Sequence, residues 1–136
     1  TLPVGPAALS PRAVMTGLAT HLVEGGWLLW GDLVWRTPPA EPLRQLVEIN
    51  NPYADHDGWQ DAARQSGLQV VSAELSSQAE WDQYADLSVG AVRAWLAKNP
   101  DHADAAVIAR RAHQIELMFQ FGQGVMGFGL YLFRKP

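Results

Sequence analysis

With 136 residues, 48% of them apolar and 18% charged, the chain has the composition of one globular domain able to bury one real core. Ten basic residues against fourteen acidic ones give a net charge of -4 and cluster only as Arg110-Arg111 and Arg134-Lys135, which excludes a phosphate-tracking nucleic-acid surface. Zero cysteines exclude a disulfide framework or zinc-thiolate site and accord with a cytoplasmic location, and no apolar run nears the ~20 residues of a bilayer span, so no membrane partner is expected.

In chain order, Ser10-Pro11 reads as a capping serine with proline at the first helical position. Val14, Leu18, Leu22 and Val23 mark one helical face, and Gly25 or Gly26 supplies the left-handed residue that ends the helix. The apolar run that follows predicts a strand from Trp27 to Trp35, covered on both faces because it does not alternate. Pro38-Pro39 closes its exit. Glu41 to Ile49 has the spacing of a short helix, and Asn50 to Gly58 that of a mobile polar loop.

A helix from Trp59 to Ser66 ends at Gly67, and the β-branched run Leu68 to Leu75 predicts a second strand. Ser76-Ser77 followed by Glu80 opens a helix that carries Trp81, Tyr84, Leu87, Val92, Trp95 and Leu96 and closes at Asn99-Pro100. Asp101 or Asp104 caps a last helix to about Phe121, and Phe128 to Arg134 alternates as a terminal strand.

Five groups of residues carry chemistry on paper. Gly122, Gly124 and Gly127 spell Gly-x-Gly-x-x-Gly, but a helix precedes them and only nine residues follow, so they read as helix release, turn and strand start rather than a phosphate cradle. Asp55-His56-Asp57 reads as a solvated turn, since consecutive residues rarely converge on one ion, and no metal is expected. His113 and Glu116 share a helix face and form either an acid/base pair or a polar pair beside a core stripe of Ile108, Ala112, Ile115 and Phe119. Trp30, Trp35, Tyr53, Trp81, Tyr84, Met118, Phe119 and Phe121 are either core or the walls of an apolar pocket over the C-terminal edge of the sheet. Arg36, at the strand exit, is a guanidinium suited to a carboxylate or a plain surface charge.

The segments Glu24-Gly25-Gly26-Trp27-Leu28-Leu29-Trp30-Gly31, Ala63-Arg64-Gln65-Ser66-Gly67-Leu68-Gln69-Val70-Val71, Glu80-Trp81-Asp82-Gln83-Tyr84 and Gly127-Phe128-Gly129-Leu130-Tyr131-Leu132 follow one another in a particular order. That order resembles the C-terminal half of a class I S-adenosylmethionine-dependent methyltransferase, over nearly the whole chain. The resemblance implies an α/β fold, a partial Rossmann-like sheet of three strands in a single domain spanning 1–136, with a helical insertion at about 77–123. It also implies a last strand that runs antiparallel between the other two, themselves parallel.

The same resemblance implies S-adenosylmethionine as cofactor of the complete protein and a small-molecule methyl acceptor. Trp35, Arg36, Tyr84 and Phe119 are then acceptor-side residues, with His113 and Glu116 as candidates for proton removal. The family's glycine-rich turn and ribose-binding acidic residue have no counterpart in these segments, so the cofactor-binding residues are unknown. The chain starts at Thr1 rather than methionine, and the expectation is a cut start, with the cofactor-binding half missing and the isolated chain inactive. That half, or self-association, should cover the open edge of the first strand. A noncatalytic binding or association module without a cofactor site is the other reading.

Overall fold

The computed structural model describes residues 10–48 and 53–136. Helix α1 (Pro11–Thr20) leads into strand β1 (Trp27–Trp35), then helices α2 (Glu41–Glu48) and α3 (His56–Gln65) and strand β2 (Gln69–Leu75). Helices α4 (Gln78–Lys98) and α5 (Ala105–Phe121) follow, and strand β3 (Met126–Arg134) closes the chain. The sheet order is β1-β3-β2, and β3 is antiparallel to both neighbours, which leaves β1 and β2 parallel to each other. This is the expected topology, with the reversed strand in the middle.

The helix starts follow from local chemistry. Ser10 Oγ accepts the Ala13 amide at 3.1 Å, and Pro11 sits where its missing N–H costs nothing. Ser77 and Glu80 form a capping box: the Glu80 amide donates to Ser77 Oγ at 3.1 Å, while the Ser77 amide donates to the Glu80 carboxylate at 2.7 Å. That second bond holds the Glu80 carboxyl below its ordinary pKa. Asp104 occupies the N-cap of α5 without a side-chain capping bond. As expected, Gly122 caps the end of α5, Gly124 takes a left-handed φ of 76°, and Gly127 lies within the terminal strand.

Three boundaries differ from the sequence reading. Helix α1 stops at Thr20, so Leu22 and Val23 lie beyond it and Val23 is exposed. The reason is remote: Lys135 Nζ donates to the carbonyls of Ala19 and Leu22 at 3.0 and 2.9 Å, satisfying the helix end. Gly25, with φ 75°, instead turns the chain into β1, its amide on the Lys135 carbonyl at 2.7 Å. Helix α3 begins at His56 rather than Trp59, because Asp55 caps it by accepting the Gly58 amide at 2.6 Å. Of the predicted loop, residues 50–52 lie outside the described residues, as does Ile49 of the predicted α2. Strand β3 starts at Met126, two residues early, since Val125 already accepts the Arg36 amide at 2.7 Å.

The two faces of the sheet are unequal. On one, α1 and α3 bury Met15, Val34, Trp59, Ala63, Tyr131 and Phe133 in a continuous core. On the other, Trp35, Val47, Trp81, Phe119 and Met126 form a second core under α2, α4 and α5, confined to the C-terminal end of β1 and the start of β3. The remainder of that second face is bare: Trp27 is 53% exposed, Leu29 66% and Leu130 49%. Cover on both faces of β1 therefore holds only for its last residues among those described.

Candidate functional site

The end of the sheet where β1 and β2 exit and β3 enters is built around Arg36. Its Nε donates to the Met126 carbonyl at 3.2 Å, and its Nη2 donates to the Ser76 carbonyl. One guanidinium thus ties the exit of β1 to the entry of β3 and the exit of β2. The bare backbone of Gly127 makes room for it, since a Cβ there would stand 2.7 Å from Arg36 Nε. Ser76 is also engaged, accepting the Phe128 amide on Oγ at 2.9 Å.

Trp35 is buried, its indole Nε1 donating to Glu48 of α2 at 3.0 Å and its ring edge-on to Tyr53 at 6.2 Å. Arg44 in turn pairs with Glu48 at 2.8 Å, so α2 is anchored to the strand exit by a short polar chain. Between α2 and the end of α5 lies an apolar cavity of about 390 Å³, lined by Ala40, Pro42, Leu43, Leu46, Phe121 and Val125. Its floor, Val125, is the residue whose carbonyl receives the Arg36 amide. The lining has no charged side chain, so the cavity suits an apolar group.

Of the residues singled out in the sequence, Trp35 and Phe119 meet in the second core. Phe119 meets Trp81 edge-on with centroids 5.0 Å apart, and Tyr84 lies half outside with its ring against Phe128 and Phe119 at 4.6 and 5.7 Å. His113 and Glu116 share a face of α5, with Nδ1 3.9 Å from the carboxylate, but Glu116 is held by Arg93 of α4 at 2.7 Å. Neither borders the cavity at the strand exit. His21 and His102 are exposed, and among the described residues no three acidic, histidine or cysteine side chains group as metal ligands.

A polar cluster escaped the sequence reading. Tyr131, buried on β3, shares its hydroxyl with His56 Nδ1 at 3.0 Å, and its phenol is pushed well up by burial first, then by Asp32, Asp55 and Asp57. Asp32, half-buried on β1, is itself raised above the ordinary carboxylate range by desolvation, though it accepts the Leu33 amide at 2.7 Å. These groups lie on the face covered by α3, away from the strand exits. Asp55-His56-Asp57 is thus a helix start rather than a solvated turn, and only the fold reveals the partner of His56.

No family model matches the chain, and no curated protein matches it. Solved structures do. YjhP from E. coli is 26% identical with a TM-score of 0.69, the match covering 88% of this chain and 53% of that one. A SAM-dependent methyltransferase from Thiobacillus denitrificans, solved with S-adenosyl-L-homocysteine, gives 23% identity and a TM-score of 0.71, covering 98% of this chain and 56% of that one. The cyclopropane synthase MmaA2 of Mycobacterium tuberculosis gives 12% and 0.72, covering 92% and 50%. The chain spans about half the length of the solved structures it matches, and it has the fold of the C-terminal half of a class I S-adenosylmethionine-dependent methyltransferase.

Proposed function

We propose that residues 1–136 build the acceptor-side half of an S-adenosylmethionine-dependent methyltransferase acting on a small molecule. The observation that carries this reading is the fold, with its sheet order β1-β3-β2, which matches a solved methyltransferase of about twice the length over 98% of this chain at a TM-score of 0.71. The polar groups at the strand exits do not by themselves fit the cofactor. Arg36 is spent on two carbonyls and Ser76 on an amide, which leaves the binding of S-adenosylmethionine to the other half of the fold.

In this reading the apolar cavity between α2 and α5 receives the acceptor. Trp35 and Phe119 of α5 form the core on which the lining residues Leu43 and Val125 pack, Arg36 fixes the strand exit beside it, and Tyr84 of α4 rests on Phe119. Their contribution is orientation and exclusion of water. His113 and Glu116 belong to the ion network of the α4–α5 hairpin, so His113→Ala should leave turnover within about twofold, whereas Leu43→Asp in the cavity should raise KM for the acceptor by about tenfold or more.

The test is methyl transfer from labelled S-adenosylmethionine to a panel of small acceptors by the complete protein, beside calorimetry on residues 1–136 alone. The expected result is turnover by the complete protein and no saturable cofactor heat from the 136 residues. Tight cofactor binding by those residues would overturn the division of labour, and a complete protein that binds no cofactor would overturn the enzyme reading in favour of a binding module.

A further inference from the structure

Helix α4 carries two stripes. Trp81, Ala85, Ser88, Val92, Trp95 and Asn99 turn inward, all buried or half-buried. A second stripe, Glu80, Tyr84, Leu87, Ala91, Ala94 and Lys98, follows the same alternation of four and three residues, and all six are exposed, Tyr84 by 52% and Leu87 by 66%. Such spacing lines one side of a helix along five turns, and four of its six positions are apolar.

The stripe is self-complementary when reversed. Its spacing is the same read from either end, so a second α4 lying antiparallel about a two-fold axis near Val89 sets Leu87 opposite Ala91, Tyr84 opposite Ala94 and Glu80 opposite Lys98. Each large side chain then meets a small one and each acidic terminus a basic one, twice over. The parallel arrangement sets Leu87 on Leu87, Tyr84 on Tyr84 and Glu80 on Glu80, a poorer fit with like charges apposed. Gly90, borders the middle of the stripe, and a Cβ there would meet nothing within 4 Å in the chain. A glycine inside a helix weakens it by about 1 kcal/mol relative to alanine, and close approach of a second backbone gives it a use.

We propose that the outer stripe of α4 is a homodimer interface, occupied by α4 of a second copy of this chain in antiparallel register. It involves a different face from the bare sheet and does not depend on the methyltransferase reading. The exposed Glu80–Lys98 pairs contribute little energy and mainly select the antiparallel orientation. Leu87 supplies the anchor, and Tyr84, whose ring already rests on Phe119 and Phe128, offers only its exposed edge.

The test uses the natural absence of cysteine. Leu87→Cys combined with Ala91→Cys should give a covalent dimer on mild oxidation, whereas Leu87→Cys combined with Ala94→Cys, out of register, should give little. Sedimentation of the unmodified chain should show a mass rising from 14.9 kDa toward twice that value with concentration. Leu87→Asp should weaken association by about tenfold or more while the melting temperature of the monomer is kept, because the position is exposed. A chain that stays monomeric at every concentration, equal cross-linking by both cysteine pairs, or association abolished by Leu29→Asp on the sheet face but not by Leu87→Asp would each overturn the proposal.

Discussion

A guanidinium at the end of a strand can serve a ligand or the fold, and the two uses leave different traces in its neighbours. Around Arg36 the trace is of the second kind: two carbonyls from different strands accept from it, and the residue beneath it is a glycine whose missing side chain makes the space. Arg36→Ala should therefore cost about 1.5–3 kcal/mol in urea unfolding, as bonds from a charged donor are lost. Gly127→Ala should displace the same guanidinium, so the double variant should lose clearly less than the sum of the two single losses. Asp32 makes a case for pH. Its native pKa is raised, so the folded state binds the proton more tightly than the unfolded chain, and stability falls as pH rises from the ordinary carboxylate range through the native value. Asp32→Asn keeps an oxygen for the Leu33 amide. It should be more stable than the parent at neutral pH, with the difference vanishing in acid, as measured by thermal unfolding across that range.

At the scale of elements, α4 depends on its first turn. Apolar residues on the exposed stripe, about 100° around the helix from the inward one, lower its overall amphipathicity, so the start of the helix is fixed largely by the Ser77–Glu80 box. Ser77→Ala should destabilise by about 1 kcal/mol, with faster amide exchange confined to the first turns of α4. This box was legible in the sequence because both partners lie within one turn, and so was β1, framed by a glycine pair and a proline pair, whereas the swapped order of the strands was implied only by the family resemblance. Of the misjudged boundaries, the end of α1 and the start of β3 depend on distant partners, whereas the start of α3 rests on a local cap, Asp55 accepting the Gly58 amide. Lys135 ends α1 from the far end of the chain, and His56 starts α3 facing a tyrosine on the last strand. The candidate site was legible to the same extent. Trp35 and Phe119 meet in one core, as an apolar pattern can suggest, whereas the Glu116–Arg93 ion pair depends on the pairing of α4 with α5, which the sequence does not show.

For the whole molecule the decisive feature is the imbalance between the two sides of the sheet. One side is closed by α1 and α3; the other is closed only where the strands exit, leaving Trp27, Leu29, Val71 and Leu130 partly in water. Along the outer edge of β1, Trp35 alone is bridged, by its amide to the Ala54 carbonyl, and no other pairing involves that edge among the described residues. An open ladder beside an apolar face is a surface that proteins normally cover. In the proposed reading the cofactor-binding half of the fold lies there, and the acceptor cavity at the strand exits comes to face the methyl group it must meet. Residues 1–136 alone should then bind an apolar fluorescent dye, and Leu29→Lys with Leu130→Lys should lower that binding several-fold without a loss of unfolding cooperativity, because neither side chain supports the existing cores. Supplying the complementary half in trans should suppress the dye signal of the parent chain and leave the lysine variant unable to pair, with methyl transfer restored only in the former. Dye binding that ignores both the lysines and the added half would assign the exposed apolar surface elsewhere and remove the sheet face from the account.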